Sequence, residues 1–180
     1  MRFGGIVLAT ALALGACSSD PAPREPDTTT TTSAAPTPTA TLPTMPPQAS
    51  EDSPEGAAAF VKHYVDVFNY AAATGDVEEL SRLSSPDCDG CQKYIDLYRE
   101  TYKVGGYFRG GDWKIGEIKL KLSEPEMYAT TEVRSGGGKF RTDSNSPEKR
   151  SEVDRIEMTF ALVGTGLQRE ISQLALGTAP

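Results

Sequence analysis

Residues that commonly carry chemistry are scarce in this sequence: its 180 residues include one histidine, one tryptophan and three cysteines. A zinc site needs a second ligand pair beside a Cys-x-x-Cys, and only His63 is there to help, so no metal is expected. A Ser-His-Asp or Cys-His device would likewise need His63 as its base, and no nucleophile elbow or oxyanion loop accompanies it. Long apolar runs are missing, so a transmembrane helix, which takes roughly 20 apolar residues, is not expected. Basic residues are outnumbered, 18 Lys and Arg against 25 Asp and Glu, for a net charge of -7. Such an average supplies no clustered phosphate-binding surface, and nucleic acid is not expected as a partner. Gly138-Lys139 is followed by Phe140 and lacks the first glycine of a phosphate loop. Asp87-x-Asp89-Gly90 resembles a calcium-loop fragment, but the bidentate position falls on Tyr98, which excludes that reading. No cofactor is expected.

Proline and threonine, by contrast, are plentiful and concentrated near the N-terminus. Met1 and Arg2 precede an apolar run from Ile6 to Leu14 that ends in Gly15-Ala16-Cys17, the pattern of a secretory signal over 1–16. Leu14-Gly15-Ala16-Cys17 also resembles a bacterial lipobox, which implies cleavage before Cys17 and its lipidation. The partner so implied is the lipid bilayer, with the protein tethered to the outer face of the cell membrane. An ordinary signal cut nearby is the alternative. Residues 17–53 hold Thr, Pro, Ala and Ser but no aromatic residue and no hydrophobic period, so a disordered tether is expected. Fully extended, it would reach at most about 110 Å. Thr28 to Thr32, Thr37 and Thr39 read either as O-glycosylation sites or as bare linker.

Folding signals begin at Ser53-Pro54-Glu55, an N-cap, a first-position proline and early acidic charge. Ala57, Phe60, Val61, Tyr64, Val65, Phe68, Ala71 and Ala72 recur at helical spacing, with Lys62, Asp66 and Asn69 opposite, which predicts an amphipathic helix to about Ala73. His63 falls about 130° from the centre of that stripe and reads as a partly exposed flank residue. Gly75 suits a helix C-cap, and Asp76 with Glu79 predicts a capped second helix bearing Leu80 and Leu83. A third helix is expected from Cys91 to Lys103, ending by Gly105-Gly106.

Beyond Gly106 the period shifts toward two. Trp113 and Ile115 share one parity and Ile118, Leu120 and Leu122 the other, with Gly116 as the natural bulge between them. Further strands are expected at about 127–134, 139–143, 150–163 and 167–174, separated by Gly-, Ser- and Asn-rich turns. Helices followed by an antiparallel meander predict an α+β fold over 54–177, with three helices packed on one curved sheet.

Phe68-Asn69-Tyr70-Ala71 to Thr74-Gly75-Asp76, continuing to Leu80, Leu83 and Ser85-Pro86, resembles the opening of nuclear transport factor 2-like (SnoaL-like) domains. The match covers about 30 residues specifically, and implies a cone-like fold. Together with the lipobox, the spacer and Pro86-Asp87-Cys88-Asp89-Gly90-Cys91, the chain also resembles an uncharacterised lipoprotein family of high-GC Gram-positive (actinobacterial) bacteria, which implies no activity. Enzymes among the cone-like domains, such as polyketide cyclases and ketosteroid isomerases, use an Asp base with a phenol or acid donor. No Asp and Tyr pair matches such a motif here. The candidate pocket lining is Tyr64, Phe68, Tyr98 and Trp113, residues that otherwise read as core. Related domains also dimerise through the sheet, which makes a homodimer one expected assembly.

Cys88 and Cys91 at a helix N-terminus admit a structural disulfide, a redox pair or half a metal site; an exported pair with no other cysteine nearby should oxidise. The favoured function is a non-catalytic binding domain for an envelope protein or a small apolar ligand. Its rivals are a small SnoaL-like enzyme on an apolar substrate, and thiol-disulfide exchange.

Overall fold

The computed structural model describes residues 40–177. The expected signal segment, Cys17 and the first part of the tether lie outside the described residues.

Three helices form where local signals call for them. Helix α1 (Pro54–Thr74) starts at Ser53, whose Oγ accepts the Gly56 amide at 3.0 Å, and closes at Gly75 with φ 77°. Helix α2 (Glu78–Arg82) is capped by Asp76, whose Oδ1 accepts the Glu78 amide. The capping box expected there is only half formed, because Glu79 binds Arg82 instead of reaching back. Helix α3 (Asp89–Lys103) begins two residues earlier than its apolar period suggests, since the Cys88 sulfur accepts the Cys91 amide at 3.2 Å and serves as the cap.

Eight strands follow: β1 (Tyr107–Gly110), β2 (Trp113–Ile115), β3 (Lys119–Ser123), β4 (Glu126–Ser135), β5 (Gly138–Arg141), β6 (Lys149–Ser151), β7 (Asp154–Val163) and β8 (Glu170–Leu176). They make a three-stranded sheet, β1-β5-β6, and a five-stranded sheet, β2-β4-β7-β8 with β3 also on β4. The two are one bent meander. Gly110 pairs with Gly138 and Trp113 with Ser135, so residues 111–112 face 136–137 with the register kept. Gly138 pairs with Ser151 and Ser135 with Asp154, so 136–137 likewise face 152–153. The strand expected over 150–163 is thus broken at this bend. Gly110 and Gly111, at φ 65° and 80°, turn the backbone there.

Between β2 and β3 the parity switch is real: Ile115 faces Val133 and Lys119 faces Thr130, leaving 116–118 opposite 131–132, one residue in excess. Ile118 and Leu120 therefore pack on the core, whereas Leu122 is exposed. The strand expected from 167 starts at Glu170, because Gly166–Gln168 forms a 3-10 turn.

The helices cover the inner sheet face. Phe60, Tyr64, Phe68, Leu80, Leu83, Ile95, Met158, Phe160 and Ile171 are buried in one cluster. Two corrections to the sequence reading concern the far side of α1. Residues near the end of the expected tether are folded: Pro47–Ser50 is a 3-10 helix, Ala49 is fully buried, and the Arg169 guanidinium donates to the Ala49 and Glu51 carbonyls at 2.9 and 3.0 Å. The folded unit therefore begins before Ser53. With this strap and α2 flanking α1, His63 is buried, not partly exposed.

Candidate functional site

Where the sheet bends away from α3, aromatic side chains converge. A cavity of about 250 Å³ opens there, with Tyr94, Leu97 and Tyr98 from α3 on one side and Phe108, Trp113 and Phe140 on the other. Glycines 110, 111, 136 and 138 form its floor, where absent side chains leave room. Trp113 is held firmly: the Asn69 amide donates to the Trp113 carbonyl at 2.9 Å and accepts its N–H at 2.8 Å. Asn69, assigned by periodicity to the polar face of α1, is thus the residue that positions the mouth. Phe68 stacks beneath the Trp113 ring at 4.0 Å, and Tyr94 meets the same ring edge-on at 5.4 Å. Tyr98 contacts Phe108, which stacks on Phe140.

Of the four candidate lining residues, Tyr98 and Trp113 border this mouth. Tyr64 and Phe68 do not; both are about 1% exposed and fill the cone interior. Tyr64 donates to Ser84 Oγ, which donates to the Leu80 carbonyl, and burial pushes the Tyr64 phenol up to about 12. Burial also raises the Tyr94 and Tyr98 phenols. Their hydroxyls have no hydrogen-bond partner among the described residues, so both remain neutral donors at neutral pH beside an open apolar cavity. No carboxylate lines the mouth among the described residues; Lys139 is the charged residue at its rim.

A larger crevice of about 460 Å³ separates the strap from α1, but its walls are mixed in charge, with Glu55, Lys62, His63 and Asp66. His63 Nε2 is buried without a partner, and desolvation holds the imidazole below its ordinary range despite the nearby carboxylates of Glu79 and Asp66. Neutral imidazole is the favoured form. Cys88 and Cys91 are joined as a disulfide and are each about 1% exposed. Ser85 N–H bonds the Ile171 carbonyl just before the bridge, and Gly90 packs so tightly on Leu174 that a Cβ would collide with its carbonyl. The bridge closes the α2–α3 turn on itself, while Ser85 and Gly90 hold that turn against β8.

The family model for a family of unknown function, DUF6318, matches residues 27–162, and the chain belongs to that family. Comparison with curated proteins finds no match. The intermembrane space region of the chloroplast protein ARC6 is similar in structure, with a TM-score of 0.52 and 10% identity over 71% of this chain and 98% of that one. A putative scytalone dehydratase from Novosphingobium aromaticivorans gives 0.46 and 16% over 69% and 85%. A putative polyketide cyclase from Pseudomonas putida gives 0.35 and 12% over 65% and 90%. The fold is the expected α+β arrangement, three helices on a curved antiparallel sheet, and the likeness to the ARC6 region is one of fold alone.

Proposed function

We propose that this protein is a lipid-anchored envelope protein whose cone domain binds, without chemical turnover, a small apolar ligand or an apolar side chain of a partner. The observation that carries the binding reading is the mouth itself: five aromatic rings, two unpartnered phenol donors and no lining carboxylate among the described residues. Apolar walls with a few convergent polar groups are the chemistry of ligand pockets. A general base of the cyclase or isomerase kind would have to reach the substrate from this lining, and the absence of an acid there favours binding over catalysis. Burial of both cysteines favours a structural bridge over thiol exchange, which needs an accessible sulfur.

Trp113 is the sole tryptophan and lies in the wall, so its emission reports on the mouth. Titration with a planar apolar phenol or ketone should quench or shift that emission, and Leu97→Asp at the rim should abolish the response. An unchanged spectrum across such a ligand series would remove the reading. The anchor rests on Leu14-Gly15-Ala16-Cys17; Cys17→Ser should move the protein from the membrane fraction to the medium, and mass spectrometry of the mature N-terminus decides whether Cys17 is acylated.

A further inference from the structure

We infer that the outer face of the three-stranded sheet is a docking surface for a linear phosphate-bearing polymer, on the side of the sheet turned away from the aromatic mouth, with which it shares only Lys139 at the rim. Strand register builds it. Arg109 pairs with Lys139, and Lys139 with Arg150, setting three cations side by side across three strands spaced roughly 5 Å apart. One pair further, Tyr107 faces Arg141, and the guanidinium groups of Arg109 and Arg141 lie over the Tyr107 ring at 4.5 and 5.5 Å. Alternation turns this face away from Phe108 and Phe140, which stack on the mouth side. Glu148 bonds the Tyr107 hydroxyl and Lys139, and leaves Arg109 and Arg150 without a carboxylate at ion-pair distance among the described residues. The Arg141 Nε is buried with no acceptor.

A second row continues the pattern across the bend. Lys114 pairs with Arg134, and Arg134 with Arg155, between core-facing Val133 and the turn; among the described residues only Arg155 of this row has a carboxylate at ion-pair distance, Glu132 at 3.9 Å. Like charges directly opposite each other in a sheet weaken it, and two such rows stand in a chain whose net charge is -7. A partner bearing repeated negative charge removes that repulsion.

The occupant is a flexible phosphate polymer for three reasons. Rows of guanidinium forks match phosphoryl oxygens and engage several at once. The bend at Gly110-Gly111 and Gly136-Gly137 sets the rows on differently inclined surfaces, which a chain can follow and a flat bilayer cannot. The Tyr107 ring is already covered by guanidinium groups, so it offers no stacking platform for a nucleic-acid base. A second copy of the chain would set cation against cation on this face.

The test is calorimetric titration of the full chain with long-chain inorganic polyphosphate. Binding is expected, with affinity falling linearly on a log-log plot against salt. Arg109→Gln with Arg150→Gln should weaken it about tenfold and flatten the salt slope, whereas Lys62→Gln on the crevice wall should leave it unchanged; melting curves confirm that both variants fold. No binding at low salt, equal binding by the double variant, or equal affinity for tripolyphosphate would overturn the proposal. So would tighter binding of a charge-matched oligothymidylate or of phosphatidylglycerol vesicles, either of which would assign the face to another partner.

Discussion

Along one continuous strand path, Met158, Phe160 and Leu162 of β7 are almost wholly buried, whereas all three residues of β6, just before the bend, are exposed. The ladder is the same on both sides of the bend, and so is the register. Backbone pairing is therefore not what separates the regions; the difference is what covers the inner face. Helices α1 and α3 cover the five-stranded part and reach only β1 of the three-stranded part, where Tyr107, Phe108, Gly138, Phe140 and Arg141 are half-buried and β6 is bare. Stability is concentrated below the bend, and the surface chemistry at and above it.

The largest expected effect tests that division directly. Phe68→Ala removes a ring packed on Trp113, Tyr94 and Tyr98, and should cost about 3–5 kcal/mol in urea unfolding. Phe140→Ala, above the bend, removes one partial stack and should cost about 1 kcal/mol. Equal losses would mean that the two regions are one cooperative core, and the comparison would fail.

A middle-sized effect concerns the strap. Arg169→Met keeps the apolar stem but leaves the buried Ala49 carbonyl and the Glu51 carbonyl without their donor, at a cost of about 1–3 kcal/mol by thermal or urea melting. Amide exchange should quicken at Ala49 and Glu51 and not in β7. An unaltered melting curve would show that residues 45–51 contribute nothing to the fold and that the tether effectively runs to Ser53.

Which of these features the sequence discloses follows from their range. Ser53, Gly75 and the 3.6-residue period of α1 are local signals, and the helix appears with them. Gly116 between two apolar parities marks a bulge for the same reason. The strap escapes such reading because Met45 and Ala49 are isolated apolar residues in a proline-rich stretch, and Arg169, which holds the Ala49 carbonyl, is distant in sequence. His63 is misread through the same gap: its side of α1 is covered by that strap and α2. Asn69 has the residue type of a surface position but the geometry of a clamp, which only the placement of Trp113 reveals. The cation rows need cross-strand register, so an average charge of -7 conceals them.

The smallest expected effect has the opposite sign. Arg134 stands between Lys114 and Arg155 in the second row, with no carboxylate of its own among the described residues. Arg134→Thr keeps a strand-compatible side chain and removes the central charge, so it should stabilise by about 0.2–1 kcal/mol at low salt. Added salt should erase the gain, because screening relieves the same repulsion in the parent chain. A surface shaped for stability alone would instead lose stability on this substitution, through the packing of the arginine stem on the sheet. That outcome would place the row below the bend with the core it adjoins, and would leave only the three-stranded face distinct.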